Sequence, residues 1–212
     1  MVGVSSPNQA HPFILFALTT FLKEYMVVEP IKSKTLINKM INYLEKRNDR
    51  DALLFRMGLN TILRISDIIT LKYSQLFDSK GRIRTYLKLY EQKTNKSKKI
   101  KLNKVIQDEI YKYAKIKKLS NDDYLFYSFK NKDNHIDRTN AWRVLKRAAN
   151  KVGVENFGTH SMRKTLAYYV YKSTNNISLV MKMLNHQNPA VTLRYIGVDQ
   201  DMIDSAYEEY SI

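Results

Sequence analysis

Between Thr159 and Gly197 the chain sets two of its four histidines, an arginine and a tyrosine in an order that leaves few arrangements open. His160 and Arg163 are three residues apart, so on a helix both project from one face. Leu179 to Leu184 reads as a short apolar helix, and Asn185 stands where a left-handed residue would end it. His186 follows at once. Asn188 and Pro189 read as the N-cap and first residue of the next helix, which carries Tyr195 about two turns on. A face with two cationic side chains, a turn that presents a histidine and a tyrosine on a short helix together imply a phosphate site with a phenol beside it.

The rest of the chain predicts a mainly α fold with a small antiparallel β-sheet. Residues 12–27 place Phe13, Phe16, Ala17, Phe21 and Tyr25 near helical spacing. Two helices follow between Pro30 and Leu59, with Ser33 and Asp49 as their expected caps. Ser66 reads as the cap of another helix, which leaves Arg64 in the turn before it, flanked by Leu63 and Ile65, with Asp67 in reach of its guanidinium. Over residues 82–102 the pattern changes to period two: Ile83, Thr85, Leu87 and Leu89 alternate with polar neighbours, and Ile100 and Leu102 do so after Thr94-Asn95-Lys96-Ser97. That predicts a hairpin whose tip carries Lys93, Lys96, Lys98 and Lys99. Asn103 reads as the cap of a helix through Tyr113. Thr139 is the expected start of another, with Trp142, Leu145, Ala149 and Val152 inward and Arg143, Lys146 and Arg147 outward. Tyr168, Tyr169 and Tyr171 sit mid-helix in a core pattern and are set aside as reacting groups.

Charge narrows the partners. Thirty-six Lys and Arg residues oppose 20 Asp and Glu, a formal charge of +16, which points to a polyanion, with nucleic acid ahead of a membrane surface. Residues 199–212 reverse the sign, with five acids and no base along a narrow apolar stripe. There is no cysteine, so disulfides and thiolate metal sites are excluded. Phe13–Leu22 is too short to span a bilayer, and no Lys or Arg precedes it as in a secretion signal. A cytoplasmic protein is expected. Neither a P-loop glycine pattern nor an acidic metal cluster is found, so no cofactor and no metal are expected.

His160-Ser161-Met162-Arg163 and the run from Leu184 to Tyr195 resemble the H-x-x-R and L-G-H-x-x-x-x-T-T-x-x-Y boxes of tyrosine recombinases, the phage-integrase family. Leu63 to Ile68 resembles that family's first arginine box. The resemblance spans about residues 30–200. It implies a recombinase catalytic domain over 30–198, an N-terminal lead-in and helix over 1–29 that is not a complete DNA-clamping domain, and an acidic C-terminal helix over 199–212, for which two placements are open: packing on a neighbouring protomer, as the resemblance implies, or folding back on its own domain. It also implies the roles. Arg64, Arg163 and His186 would hold a scissile phosphate, Tyr195 would attack it, and His160 would take the phenolic proton. Lys93, with Lys96 as the fallback, would protonate the leaving oxygen, and Asp67 would orient. Lys96, Lys98, Lys99, Arg143, Lys146 and Arg147 are the expected DNA contacts.

Four positions depart from the family pattern: Ile62 and Asn185 replace glycines, Met162 a leucine and Val191 a threonine. None removes a reacting group. The expected partners are double-stranded DNA, other copies of the chain (a tetramer on DNA) and an accessory protein. Strand cutting and rejoining through a 3′-phosphotyrosyl bond is the expected activity. The alternatives are a recombinase-like DNA-binding regulator and a type IB topoisomerase-like nicking and relaxing enzyme.

Overall fold

The computed structural model describes residues 28–92 and 96–210. The expected helix within residues 12–27 and the lysine at position 93 lie outside them. In chain order the elements are α1 (Lys34–Glu45), α2 (Asp49–Thr61), α3 (Ile65–Ile69), α4 (Tyr73–Leu76), β1 (Tyr86–Tyr90), β2 (Ser97–Lys101), α5 (Lys104–Lys117), α6 (Arg138–Val152), α7 (Ser161–Thr174), α8 (Ile177–Leu184), α9 (Pro189–Ile196) and α10 (Asp199–Glu209). β1 and β2 pair antiparallel from Tyr86↔Lys101 to Tyr90↔Ser97. The mainly α fold with a small antiparallel sheet is therefore as the sequence predicts. Leu87 and Leu89 face the core while Tyr86, Lys88 and Tyr90 face out, the alternation that a half-buried strand requires.

Most helices start where a short polar side chain accepts an otherwise unpaired backbone N–H. Ser33, Asn103, Asn176 and Asn188 cap α1, α5, α8 and α9. Three starts differ from the expected residue. Asn48, not Asp49, caps α2, and Asp49 becomes its first helical residue, where its charge suits the positive helix end. Arg64 rather than Ser66 occupies the cap position of α3, without a side-chain cap bond. Asp137 caps α6 two residues ahead of Thr139 by accepting from Asn140 N.

The core is organised around α2, which touches α1, α3, α5, α6 and α7. It is buried on most sides, with Leu54, Phe55 and Met57 at zero exposure, as a helix surrounded by others must be. Gly58 brings α7 close: a Cβ there would stand 2.4 Å from Met162 Sδ and 2.9 Å from Met162 Cβ. Trp142 departs from its expected place. The buried stripe of α6 is Ala141, Leu145, Ala148 and Ala149, so Trp142 lies outward, 43% exposed, among the basic residues. Phasing the helix on its largest apolar residue shifts the stripe by one position.

A second, smaller cluster joins Ala167, Tyr168, Val180, Leu184, Ile196 and Val198 from the α7–α10 region. Ile62 enters it from the end of α2 and is its one buried member from the first half of the chain, among the described residues. This residue holds φ 54°, ψ 15°, the left-handed region. The departure from glycine at this position thus leaves the turn in a glycine-like conformation and adds an apolar side chain to the C-terminal cluster.

Candidate active site

The left-handed turn at Ile62 carries the chain from α2 into Arg64, whose backbone opens α3. His160 stands at the cap position of α7, and Arg163 lies in the first turn, 3% exposed. Arg163 Nη2 donates to the Leu184 carbonyl at 2.8 Å, at the end of α8. Its Nη1 is buried without a hydrogen-bond partner among the described residues. Such an orphaned charged donor is expensive unless an anion completes it.

Asn185 adopts φ 59°, ψ 45° and ends α8. As the next-best left-handed residue after glycine, Asn keeps the turn and presents His186. His186 N donates back to the Met181 carbonyl at 2.9 Å, and its Nδ1 lies 3.2 Å from Thr192 Oγ1. Asn188 caps α9 by accepting from Val191 N, with Pro189 in the first turn. Two turns on, the Tyr195 hydroxyl lies 3.4 Å from His160 Nδ1. The Tyr195 ring meets the His186 ring edge-on at 5.1 Å, and Lys164 Nζ sits 4.7 Å above its face.

Arg64, His160, Arg163, His186 and Tyr195 therefore converge. A cavity of about 400 Å³ opens beside them, lined by Arg64, Ser66, Gln92, Arg138 and His160. Burial pushes the Tyr195 phenol above its ordinary range, and the charges of Arg163 and Arg64 pull it back. Burial, then the charges of Arg163, Lys164, Arg138 and Arg64, hold His160 below the ordinary histidine range. Burial and the same two arginines lower His186. A histidine held neutral beside a phenol can accept its proton.

The carboxylate that faces Arg64 is not the expected one. Glu91 Oε2 lies 2.9 Å from Arg64 Nη1, while Asp67 Oδ1 accepts from Gln92 N at 3.0 Å. Asp67 is 2% exposed and ties α3 to the residue before Lys93. Sequence proximity favours Asp67, and the hairpin overrules it by folding Glu91 underneath. Glu91 was detectable as the one acid between Ser79 and Gln107 in a basic stretch. Arg138, in the first turn of α6 and on the cavity wall, also escapes the sequence reading. A basic residue opening a basic helix was its signal.

Of the expected DNA contacts, Lys96 is exposed, and Lys99 is exposed with Nζ 4.3 Å from the Tyr86 ring centroid. Lys98 turns inward and donates to Glu91 Oε1 at 3.3 Å and to the Met183 carbonyl at 3.2 Å. Burial lowers its pKa first, with Arg163 acting in the same direction and Glu91 opposing. Arg143, Lys146 and Arg147 line a separate cleft of about 480 Å³ with Tyr43 and Trp142. Among the described residues no group of three or more His, Asp or Glu side chains is arranged to hold a metal ion, and no helix is long and apolar enough to cross a membrane.

A sequence model of the phage integrase family matches residues 32–202. The probable integrase/recombinase YoeC of Bacillus subtilis strain 168 is 38% identical over 184 residues, which cover 87% of this chain and 97% of YoeC. Among solved structures, XerA recombinase superposes with a TM-score of 0.67 at 17% identity, over 88% of this chain and 65% of that one. XerH recombinase in a post-cleavage complex with a palindromic difH substrate gives 0.63 at 17% identity, over 80% of this chain and 48% of that one. At such identity the two structures show the fold. The chain spans nearly all of YoeC but less than two-thirds of either recombinase chain.

Proposed function

The chain belongs to the phage integrase family, and on that premise we propose that it is a site-specific DNA recombinase that cuts and rejoins strands through Tyr195. The observation that carries this reading is the Tyr195 hydroxyl, 3.4 Å from His160 Nδ1, beside Arg163 with its unpartnered buried donor.

A phosphodiester repels nucleophiles until its non-bridging oxygens are neutralised, and that neutralisation counts for more in the transition state than in the ground state. Arg64 and Arg163 supply planar forks that stay charged. His186 donates a further hydrogen bond. The Tyr195 oxygen attacks phosphorus as its proton passes to His160. The P–O5′ bond breaks, and Lys93 protonates the departing 5′ oxygen. The 3′-phosphotyrosyl ester keeps the bond energy, so a 5′ hydroxyl from another strand can reverse the step without a nucleotide or metal. Asp67 and Gln92 fix the hairpin end next to Lys93.

Double-stranded DNA is the partner, met by Lys96 and Lys99 of the hairpin and by Arg143, Lys146 and Arg147 of α6. The work is cytoplasmic, where such DNA lies. In the assembled complex, a tetramer on DNA, α10 packs on a neighbouring protomer; its Met202, Ile203 and Tyr207 are exposed.

The test is a pool of nicked duplexes of random sequence, enriched for strands that stay attached to the protein after denaturation. We expect an attached strand that vanishes in Tyr195→Phe while band-shift affinity stays. Band shift with no attached strand at any sequence would favour the regulator. Relaxation of supercoiled plasmid with no joined product would favour the topoisomerase.

A further inference from the structure

Glu91 takes no part in the steps above, yet its carboxylate is 3% exposed. Burying an ionised carboxylate is strongly unfavourable unless cations answer it. Among the described residues two do, from separate elements. Arg64 Nη1 approaches Oε2 at 2.9 Å from the turn before α3. Lys98 Nζ approaches Oε1 at 3.3 Å from β2. Lys98 then donates to the Met183 carbonyl, one residue before the Leu184 carbonyl that Arg163 holds. Both cations complement the negative end of α8, the end that presents His186.

These contacts form one path: Arg64 to Glu91, Glu91 to Lys98, Lys98 to the last turn of α8. Arg64 reaches the site from the large core and His186 from the smaller cluster. The path crosses between the two through the Glu91 and Lys98 side chains and ends on the Met183 backbone carbonyl. We propose that Glu91 and Lys98 are positioning residues that tie Arg64 to the α8 end, so that both sides of the phosphate cradle hold one fixed spacing. The inference rests on the phosphate-cradle reading above. It also takes Lys98 out of the set of lysines offered to the DNA backbone.

The test uses Lys98→Met, which keeps the aliphatic length and loses the ammonium, together with Glu91→Gln and the double variant. The substrate is the nicked duplex selected above. We expect each single variant to bind that duplex within about twofold of the parent, with the same salt slope, and to form the covalent product about tenfold more slowly or worse. Since the two side chains act as one tie, the double variant should be no slower than the slower single. A double variant in which the two losses multiply would overturn the proposal. So would a salt slope about one unit shallower in Lys98→Met, the mark of a direct phosphate contact. If Glu91→Gln fails to fold, the Lys98→Met comparison of rate against affinity stands alone, and an unchanged rate would overturn the tie. If the parent itself forms no covalent product, the recombinase reading falls, and hydrogen exchange at the His186 amide judges the tie separately. Faster exchange in Lys98→Met supports it, and equal exchange overturns it.

Discussion

Ile62 holds a backbone conformation suited to glycine while keeping its side chain 4% exposed. Left-handed geometry costs an L-residue roughly 1–2 kcal/mol. Burial of the side chain among Ala167, Val180 and Leu184 runs the other way, since large-to-small changes in a core cost about 2–5 kcal/mol. Burial wins. The usual order of substitutions should therefore invert here: Ile62→Ala loses the burial and keeps the strain, whereas Ile62→Gly loses the burial and relieves it. Urea unfolding should find the glycine variant more stable than the alanine variant by about 1 kcal/mol; the reverse order would show that the turn is not strained. The histidines make a second residue-level prediction. His160 and His186 both have folded pKa values below the ordinary 6.5. The unfolded chain then takes up protons first as pH falls, so the stability is present above about 6.5 and is lost below it, toward the folded values. The melting temperature of the free protein should drop between about pH 7.5 and 5.5, and His160→Gln with His186→Gln should flatten that drop. A parent protein whose melting point is flat across the window would contradict both shifts.

At the scale of elements, Gly58 sets how near α7 lies to α2, and therefore where Arg163 stands relative to Arg64. Alanine would gain about 1 kcal/mol of helix propensity, yet its Cβ would fall 2.9 Å from Met162 Cβ, which no rotamer change relieves. Overpacking of this kind costs about 1–3 kcal/mol. Gly58→Ala should lower the urea midpoint and slow covalent-product formation together, because the residue it displaces adjoins Arg163. Equal stability and rate would show that α7 has room to give. The same scale explains what the sequence discloses. Caps and left-handed stops are local, so Asn185, Asn188 and Pro189 place His186 and Tyr195 correctly from their neighbours alone. The pairing of Arg64 with Glu91 is 27 residues long in sequence, and nothing local distinguishes it from the nearer Asp67. Trp142 misleads for a related reason: its bulk suggests burial, but three alanines let α6 pack closely with the tryptophan outside. The path through Lys98 was hidden because a lysine in a basic hairpin looks like any other until β2 is set against α8.

Over the whole molecule the charges divide, and the division assigns two jobs to two regions. On the proposed reading the basic hairpin and α6 face the DNA, while α10 carries five acids and no base and is held at its start where Lys32 and Tyr168 meet Asp201. Beyond that anchor its apolar residues are bare, with Tyr207 78% and Tyr210 74% exposed. On the proposed reading, a helix with this charge and these bare apolar residues serves assembly rather than the grip on the duplex. Ending the chain after Val198 removes five acids and no base, taking the net charge from +16 to +21. Binding to a duplex with one site should then stay as tight or tighten, with a salt dependence at least as steep, since no phosphate contact is lost. Assembly should fail: sedimentation on a duplex carrying two inverted sites should show protomers adding independently where the full chain adds them cooperatively. Cooperative loading by the shortened chain would place the protomer contact elsewhere. Weaker binding to the single site would mean that α10 braces the DNA-facing surface through Lys32 instead.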